Sequence, residues 1–370
     1  MRFTEFGIFV FGLCATGCVG SVGVLPACDD WSSSSRICGV MNPEDLATLP
    51  VAGWVLVSEM THSLPTDEPH TFVSGRLTGL RLGETGEELG RRVLFPHEWA
   101  EVAANAERWG DPSCAGPPST DDFQPHGIDV GRGPSGRAAV AVVTHGDREV
   151  IDLFEIGVAA AQPTLTWRGC VAMRPGRAAN DVALLDEGGF VVTDMIPRIG
   201  EIGPSAIWTM LKISFGAETG SVLRWTPTQN GFVEISNSRG SAPNGVAATP
   251  DGRSIYVAEW GAQKVVRLRI DGAGPRTRTE IQINGSPDNL TWTPAGRLLV
   301  AAQEATPREV LGCGAIQGGG CDVNYSVTEI DPETMTGDFI AWGRGAASVA
   351  LSIGREILVG VFSGDAIERH

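Results

Sequence analysis

Short apolar runs separated by turn residues recur along most of the chain, and this alternation predicts many short β-strands. Two segments align on each other: "APNGVAATPDGRSIYVAEW" (242–260) and "SPDNLTWTPAGRLLVAAQ" (286–303). Each contains an Asn, an apolar strand, a Thr-Pro-x-Gly-Arg turn and a second apolar strand. Asn244 and Asn289 are 45 positions apart, so the pattern predicts a β-hairpin that repeats at about that period.

Further hairpins follow the same order of features at residues 46–59, 125–146, 179–194 and 346–362. Repeats of about 40–50 residues that contain several strands each are typical of β-propellers. Six copies without a linker predict an all-β fold, a six-bladed β-propeller in one domain. The alternative is two stacked β-sandwiches. The recurrence of one motif at the same register disfavours this alternative. An insertion at 204–216 separates the third and fourth copies and is a candidate helix.

The composition agrees with a turn-rich globular protein, because the 370 residues include 48 Gly and 23 Pro. The formal net charge of −16 argues against a nucleic-acid partner, which requires a basic surface. An acidic chain is compatible with cation binding.

The N-terminus has the features of an export signal: Arg2, a short apolar stretch at 7–13 and small residues at 15–18. We therefore expect a signal sequence at 1–18, an N-terminal segment at 19–40 and the propeller at 41–370. Cys18 follows Ala-Thr-Gly, which suggests a lipid on this cysteine and membrane association through it. The expected location is periplasmic, anchored to the outer membrane as a lipoprotein, or secreted.

The cysteines predict disulfide bonds, because six remain past Cys18 and an even number is typical of exported proteins. None lies in a CxxC motif, so a zinc cluster is not expected. Proximity in the sequence suggests two pairs and leaves a third: Cys28–Cys38, Cys313–Cys321 and Cys114–Cys170.

The innermost strands of a propeller begin at the same mouth of the central tunnel, so the residues that lead them converge in space. The leading residues here carry oxygen atoms or an imidazole: Glu44-Asp45, His126, Asn180-Asp181, Asn244 and Asp288-Asn289. Turn formation explains any single one of them. Calcium explains the set, because it takes about six to eight oxygen ligands. Five side chains supply oxygens and two formal negative charges: Glu44, Asn180, Asn244, Asp288 and Asn289.

Two histidines are predicted to lie side by side at the open end of one hairpin. The turn at 133–136 is centred between Ser135 and Gly136, which sets residue 126 opposite residue 145. Contact between His126 and His145 shifts their titration toward neutral pH, as a general base requires.

Six stretches together resemble the paraoxonase family: "EDLATLP" (44–50), "FQPHGI" (123–128), "VVTH" (142–145), "NDVALL" (180–185), "NGVAATPDGRSIYVAE" (244–259) and "DNLTW" (288–292). Members are six-bladed propellers that act as calcium-dependent lactonases and arylesterases, within the wider gluconolactonase and senescence-marker group. The resemblance covers nearly the whole mature chain. The loop at 303–325 has no counterpart in those enzymes.

The resemblance implies a catalytic calcium on the five residues named above. It implies a second, structural calcium on Asp45, Asp181 and the backbone carbonyl of Ile128. By the same resemblance, His126 activates the attacking water and His145 assists it, while calcium stabilises the oxyanion. The implied partner is a small-molecule lactone or aryl ester. No G-x-S-x-G motif is present, which agrees with a reaction that needs no serine nucleophile.

Two other functions remain open at this point. One is a sugar lactonase of the gluconolactonase type, which generally lacks the histidine pair. The other is a non-catalytic propeller that uses calcium for rigidity and its loops for binding.

Overall fold

The protein is described by a computed structural model over residues 22–28, 35–60, 74–96, 107–114, 116–121, 123–146, 148–198, 204–229, 231–270, 277–316 and 318–370. The predicted signal sequence at 1–18, including Cys18, lies outside these residues.

The predicted six-bladed β-propeller is confirmed, because the described strands form six blade sheets in which neighbouring strands are antiparallel. The innermost strands of blades 1 to 6 are Pro43–Thr48, Gln124–Arg132, Arg177–Leu184, Pro243–Ala248, Ser286–Trp292 and Ala347–Ile353. The second strands are Trp54–Glu59, Ala138–His145, Phe190–Pro197, Ser254–Glu259, Leu298–Glu304 and Glu356–Val361.

The outer half of each blade also consists of two strands. The third strands are Arg76–Leu82, Val150–Ala159, Ser221–Trp225, Lys264–Arg269, Asn324–Asp331 and Ala366–Arg369. The outermost strands are Glu88–Phe95, Gln162–Ala172, Val233–Glu234, Arg278–Gln282, Thr336–Arg344 and Arg36–Cys38. Two short additions complete the sheets: Trp109–Gly110 extends blade 2 in parallel, and Gly23–Leu25 pairs with Gly320–Asp322.

The ring closes by pairing strands from the two ends of the chain. The strand Arg36–Cys38 is antiparallel to Ala366–Arg369, the third strand of blade 6. It lies in the predicted N-terminal segment 19–40, so this segment contributes a strand to the propeller. Closure of this kind supplies the last blade with its fourth strand and covers an edge that would otherwise be exposed.

Six apolar clusters of the described core lie at the interfaces between neighbouring blades, one at each interface. Two smaller clusters surround Cys313 with Cys321 and Trp260 with Ile213. Successive residues of a strand point to opposite faces. In blade 3, Val182 therefore packs toward blade 2 and Ala183 toward blade 4. Because both faces are covered, the second strands are mostly apolar rather than alternating, whereas the innermost strands carry polar residues near their starts.

Two α-helices lie between strands of the blades. The first, α1 (Pro204–Ser214), confirms the helix expected in the insertion of blade 3. The second, α2 (Pro307–Cys313), lies in the loop of blade 5 that had no counterpart in the resembled family. A 3-10 turn spans Trp260–Ala262. Within the described ranges, neither helix has the length and apolar character that a membrane span requires.

The three predicted disulfide bonds are confirmed: Cys28–Cys38, Cys114–Cys170 and Cys313–Cys321. Disulfides are typical of proteins that fold in an oxidising compartment.

The closing strand gives a test of the ring. Ile37 is 3% exposed and packs with Leu46 of blade 1 and Ile367 of blade 6. We expect Ile37→Ala to lower the free energy of unfolding by about 2–5 kcal/mol, because it leaves a cavity at the closure. Val24→Ala is the matched control; Val24 is 59% exposed, and we expect a change within about 0.5 kcal/mol. Urea unfolding measures both, and equal effects would contradict closure by this strand.

Candidate metal centre and active site

Every innermost strand carries a β-bulge at the same place, near its N-terminal end. In blade 4, Pro243 lies opposite Glu259 and Val246 opposite Val257, so two residues on the inner strand face one on its partner. The other five inner strands show the same kind of shift. A bulge turns side chains away from the ladder. The residues inside the bulges include the predicted set: Glu44, His126, Asn180 with Asp181, Asn244, and Asp288 with Asn289.

The predicted residues lie inside the innermost strands rather than ahead of them, and the ring brings them together. The amide nitrogen of Asn289 donates to Oε1 of Glu44 over 2.9 Å, although 245 positions separate them. Nε2 of His126 lies 3.4 Å from the same oxygen. One cavity of about 260 Å³ is lined by five residues of the predicted set: Glu44, His126, Asn180, Asn244 and Asp288.

Four of the five predicted ligands carry a buried oxygen without a hydrogen-bond partner in the described structure. These atoms are Oε2 of Glu44 and Oδ1 of Asn180, Asn244 and Asn289. An unpaired buried oxygen costs about 1–3 kcal/mol, so four at one place require an explanation. A cation that prefers oxygen donors satisfies all four, and the donor set therefore fits calcium.

The carboxylates near the axis also favour a cation. Burial raises the pKa of Asp288 to about 8, and the neighbouring Glu44 adds to this effect. Burial, followed by Asp181 and Glu44, raises the pKa of Asp45 well above its usual value. Burial likewise raises the pKa of Asp181, in spite of two backbone hydrogen bonds that lower it. A bound cation reverses these shifts because it stabilises the ionised forms.

In two bulges the predicted site residue is followed by glycine, because the backbone of the next blade approaches closely. A Cβ atom on Gly127 would lie 2.6 Å from the backbone of Asn180 and Asp181. A Cβ atom on Gly245 would lie 2.3 Å from the carbonyl oxygen of Asp288. The "HG" and "NG" pairs of the sequence therefore allow close approach of the backbones that carry the predicted site residues in adjacent blades.

The two histidines are in contact, but through a different register from the one predicted. His145 lies opposite Gln124, not opposite residue 126, because the turn is centred on Ser135 and the bulge adds one residue between Pro125 and Ile128. Nδ1 of His126 is nevertheless 2.8 Å from Nε2 of His145. Burial alone would lower the pKa of His126, but the Glu44 carboxylate outweighs it and raises the pKa to about 9.

Asp45 and Asp181 join neighbouring blades through backbone hydrogen bonds. Oδ2 of Asp45 accepts from the N–H of Ile128 in blade 2 over 2.7 Å. Oδ2 of Asp181 accepts from the N–H of Val246 in blade 4, also over 2.7 Å. Each carboxylate also accepts from the residue that follows it. Ile128 thus contacts Asp45 through its N–H, and its carbonyl as a ligand of a second calcium stays a prediction.

Two residues that the sequence patterns did not single out contact the site. Gln303 is fully buried; its nitrogen donates to Oδ2 of Asp288 over 2.6 Å, and its oxygen accepts from Trp260 over 2.8 Å. Oε1 of Glu149 lies 2.6 Å from Nδ1 of His145. Gln303 is the last residue of the aligned segment 286–303 and lies one residue before the end of its strand, so inspection of both strand ends would have found it. Glu149 lies in a connection between strands and has no such signal.

The rest of the cavity wall is apolar. Helix α1 contributes Met210 and Ile213, and α2 contributes Val310 and Leu311. The other wall residues come from the second strand of blade 3, the start of α2, the 3-10 turn and two loops: Met195, Ile196, Pro307, Trp260, Met60 and Phe362. The arrangement combines polar oxygens and imidazole with walls that offer few hydrogen bonds to a ligand.

Across the described ranges, no group of three or more His, Cys, Asp or Glu side chains is arranged to hold a metal. The candidate set does not depend on such a group, since three of its five members are asparagines.

Comparisons with known proteins agree with this architecture. The sequence model of the family described as Arylesterase matches residues 110–311. No curated protein matches the chain. Among solved structures, a gluconolactonase from Xanthomonas campestris is 14% identical with a TM-score of 0.50, over 95% of this chain and 97% of that chain. A luciferin-regenerating enzyme is 13% identical with a TM-score of 0.50, over 90% and 94%. At these identities the two structures support the shared fold alone.

Gln303 gives a test of how Asp288 is held. We expect Gln303→Leu to lower the free energy of unfolding by at least about 2 kcal/mol, because Asp288 and Trp260 each lose a buried partner. Gln282→Leu, at an exposed strand position, is the control and should change stability by less than about 0.5 kcal/mol. Chemical unfolding of the two variants measures the difference. Equal stabilities would show that Gln303 does not support the site.

Proposed function

The chain belongs to the arylesterase family, and from this premise we propose that it is a calcium-dependent hydrolase of lactones or aryl esters. The proposal that the metal is calcium rests on four unpaired buried oxygens, which blades 1, 3, 4 and 5 contribute. Zinc prefers nitrogen and sulfur ligands. Magnesium requires a tighter octahedron and keeps more of its waters. A mixed set of carboxylate and amide oxygens suits calcium better than either.

The proposed ligands of the catalytic calcium are those of the predicted ring: Glu44, Asn180, Asn244, Asp288 and Asn289. When bound, calcium supplies Lewis-acid stabilisation of the negative charge that develops on the carbonyl oxygen of the substrate. We also propose a second, structural calcium at Asp45, Asp181 and the carbonyl of Ile128. Its support is the strongly raised pKa of both carboxyl groups, which signals negative charge in need of compensation.

The histidine pair is proposed to move the proton. His126 lines the cavity and lies against Glu44, so its Nε2 is placed to take a proton from a water molecule that attacks the carbonyl carbon. His145 contacts the other ring nitrogen of His126 and supports the positive charge that His126 then carries. The proton returns to the leaving alcohol oxygen, which completes the hydrolysis.

The apolar wall favours one substrate class over another. A sugar lactone presents a hydroxyl on most carbons, and these groups lose their water on entering a cavity that offers few polar partners. A lactone or ester with an alkyl or aryl group instead buries apolar surface against Met210, Ile213 and Leu311. We therefore propose apolar lactones and aryl esters as substrates. The three disulfides support an oxidising compartment outside the cytoplasm as the place of action.

Removal of calcium tests the proposed metal centre. We expect a chelator to abolish hydrolysis of phenyl acetate and to lower the melting temperature, and calcium to restore both. At a free concentration about 100-fold above Kd, the ion stabilises the fold by about 2.7 kcal/mol. Asn244→Ala and Asp288→Ala should lose turnover. They should also lose most of the calcium-dependent shift in melting temperature.

The same assay separates metal binding from proton transfer. His126→Gln should lower kcat by about 100- to 10,000-fold, the usual contribution of a general base, yet keep the calcium-dependent shift. Activity that ignores the chelator would contradict the calcium mechanism. Bound calcium without activity on any ester or lactone would favour a binding protein.

A substrate panel tests the role of the wall. We expect kcat/KM for an alkyl-substituted δ-lactone to exceed that for gluconolactone by at least about 10-fold, because each buried methylene contributes about 0.8 kcal/mol. Met210→Gln adds polar atoms to the part of the wall that α1 contributes, so it should lower the ratio of the two kcat/KM values. A preference for gluconolactone in the unchanged protein would favour the sugar lactonase instead.

A further inference from the structure

Glu149 is a buried carboxylate at the site that the proposed reaction does not use. Its side chain is 9% exposed, and Oε1 lies 2.6 Å from Nδ1 of His145. We infer that Glu149 is a positioning residue that fixes where the protons lie on both His145 and His126. This inference rests on the proposed function for its consequence in catalysis, but its geometry is independent of the substrate.

A continuous line of contacts joins Glu149 to the cavity. Nε2 of His145 lies 2.8 Å from Nδ1 of His126, and the rings meet edge to face with their centroids 5.0 Å apart. Nε2 of His126 then lies 3.4 Å from Oε1 of Glu44. The line therefore runs from a carboxylate at the back of the site, through two imidazoles, to a predicted ligand of the calcium ion.

The proton positions follow from what each atom can donate. An ionised carboxylate only accepts hydrogen bonds, so Nδ1 of His145 must carry the proton that faces Glu149. In the neutral ring, Nε2 of His145 is then an acceptor, and Nδ1 of His126 must donate to it. Glu44 competes for a proton on Nε2 of His126, but its contact is 3.4 Å and that of Glu149 with His145 is 2.6 Å. The shorter contact decides the arrangement, and Nε2 of a neutral His126 keeps its lone pair on the cavity side. This is the tautomer that a general base requires. Glu149 determines it, acting on His126 through His145.

Other contacts hold Glu149 in place. The backbone N–H of Ala179 donates to Oε1 over 3.1 Å, directly before Asn180 in blade 3. Nε of Arg198 lies 3.9 Å from Oε2, and a second nitrogen of Arg198 donates to the carbonyl of Gly146 in the same loop. These bonds cross from blade 2 to blade 3. If Glu149 had only a structural role, these contacts would be sufficient. Control of the histidine tautomers also requires an acceptor oxygen beside Nδ1 of His145.

Glu149→Leu separates the two roles, because leucine fills a similar volume but offers no acceptor. Nδ1 of His145 then has no carboxylate to donate to, and Glu44 is the carboxylate that remains in the line of contacts. Nε2 of His126 faces Glu44, so the proton of a neutral His126 moves to Nε2, the atom that should act as the base. Glu149→Gln is the conservative variant: the N–H of Ala179 and Nδ1 of His145 contact the same oxygen, Oε1, so an amide oxygen held there by Ala179 still accepts from His145.

The test uses the calcium-loaded protein labelled with ¹⁵N-histidine. At a pH where both rings are neutral in the same spectra, imidazole NMR should report Nδ1–H on His126 and His145 in the unchanged protein, and Nε2–H on both in Glu149→Leu. For phenyl acetate, kcat of Glu149→Leu should fall by at least about 10-fold, the usual effect of an outer partner, with KM within about twofold. Glu149→Gln keeps an acceptor at Oε1, so it should keep the original tautomers and recover most of kcat.

Glu187→Gln is the matched control, since it removes an exposed carboxylate that pairs with Arg224 in blade 3. It should leave the tautomers, kcat and KM unchanged. Unchanged tautomers in folded Glu149→Leu would overturn the inference, as would an equal loss of kcat in Glu149→Gln and Glu149→Leu. A tautomer change in a protein that hydrolyses no ester or lactone would uphold the positioning role and overturn the proposed function instead.

Discussion

Negative charge buried along the axis is the constraint on which the rest of the structure depends. The charged groups that act most strongly on Asp45 are themselves acidic, Asp181 and Glu44. These carboxylates come from blades 1 and 3, and Asp288 adds a third blade. Burying such groups without compensation costs several kcal/mol each in proteins. An ion that compensated them would also tie alternate blades together, so the proposed metal centre and the stability of the ring would share one physical cause.

The repeat made the fold and the ligand ring predictable, because both depend on position within a blade. Asn244 and Asn289 occupy equivalent positions, and equivalence was sufficient to foresee that they converge. The bulges were not foreseeable, since no residue type marks the extra residue. The predicted opposition of His126 and His145 failed because of the bulge and because the turn is centred on Ser135. Glu149 and Gln303 were missed because they act across blades, between segments whose distance only the closed ring defines.

The wall of the cavity has a different origin from its polar centre. The centre is built from the innermost strands, which every blade possesses, whereas α1 and α2 belong to connections between strands. Helix α2 is fixed at both ends: Thr306 and Glu309 form a capping box at its start, and Cys313 is bonded to Cys321 at its end. Substitutions in these helices should therefore alter what the cavity accepts without disturbing the oxygens proposed to bind calcium.

The pairing of Arg36–Cys38 with Ala366–Arg369 also has a consequence for biogenesis. A ribosome makes the first of these strands before blades 1 to 5 and the second after them. Until then, blade 6 lacks its third strand and blade 1 has no complete neighbour on one side, so a nascent chain cannot lock its ring. The closed ring is therefore a late product of synthesis, and the five earlier blades must stay soluble without it.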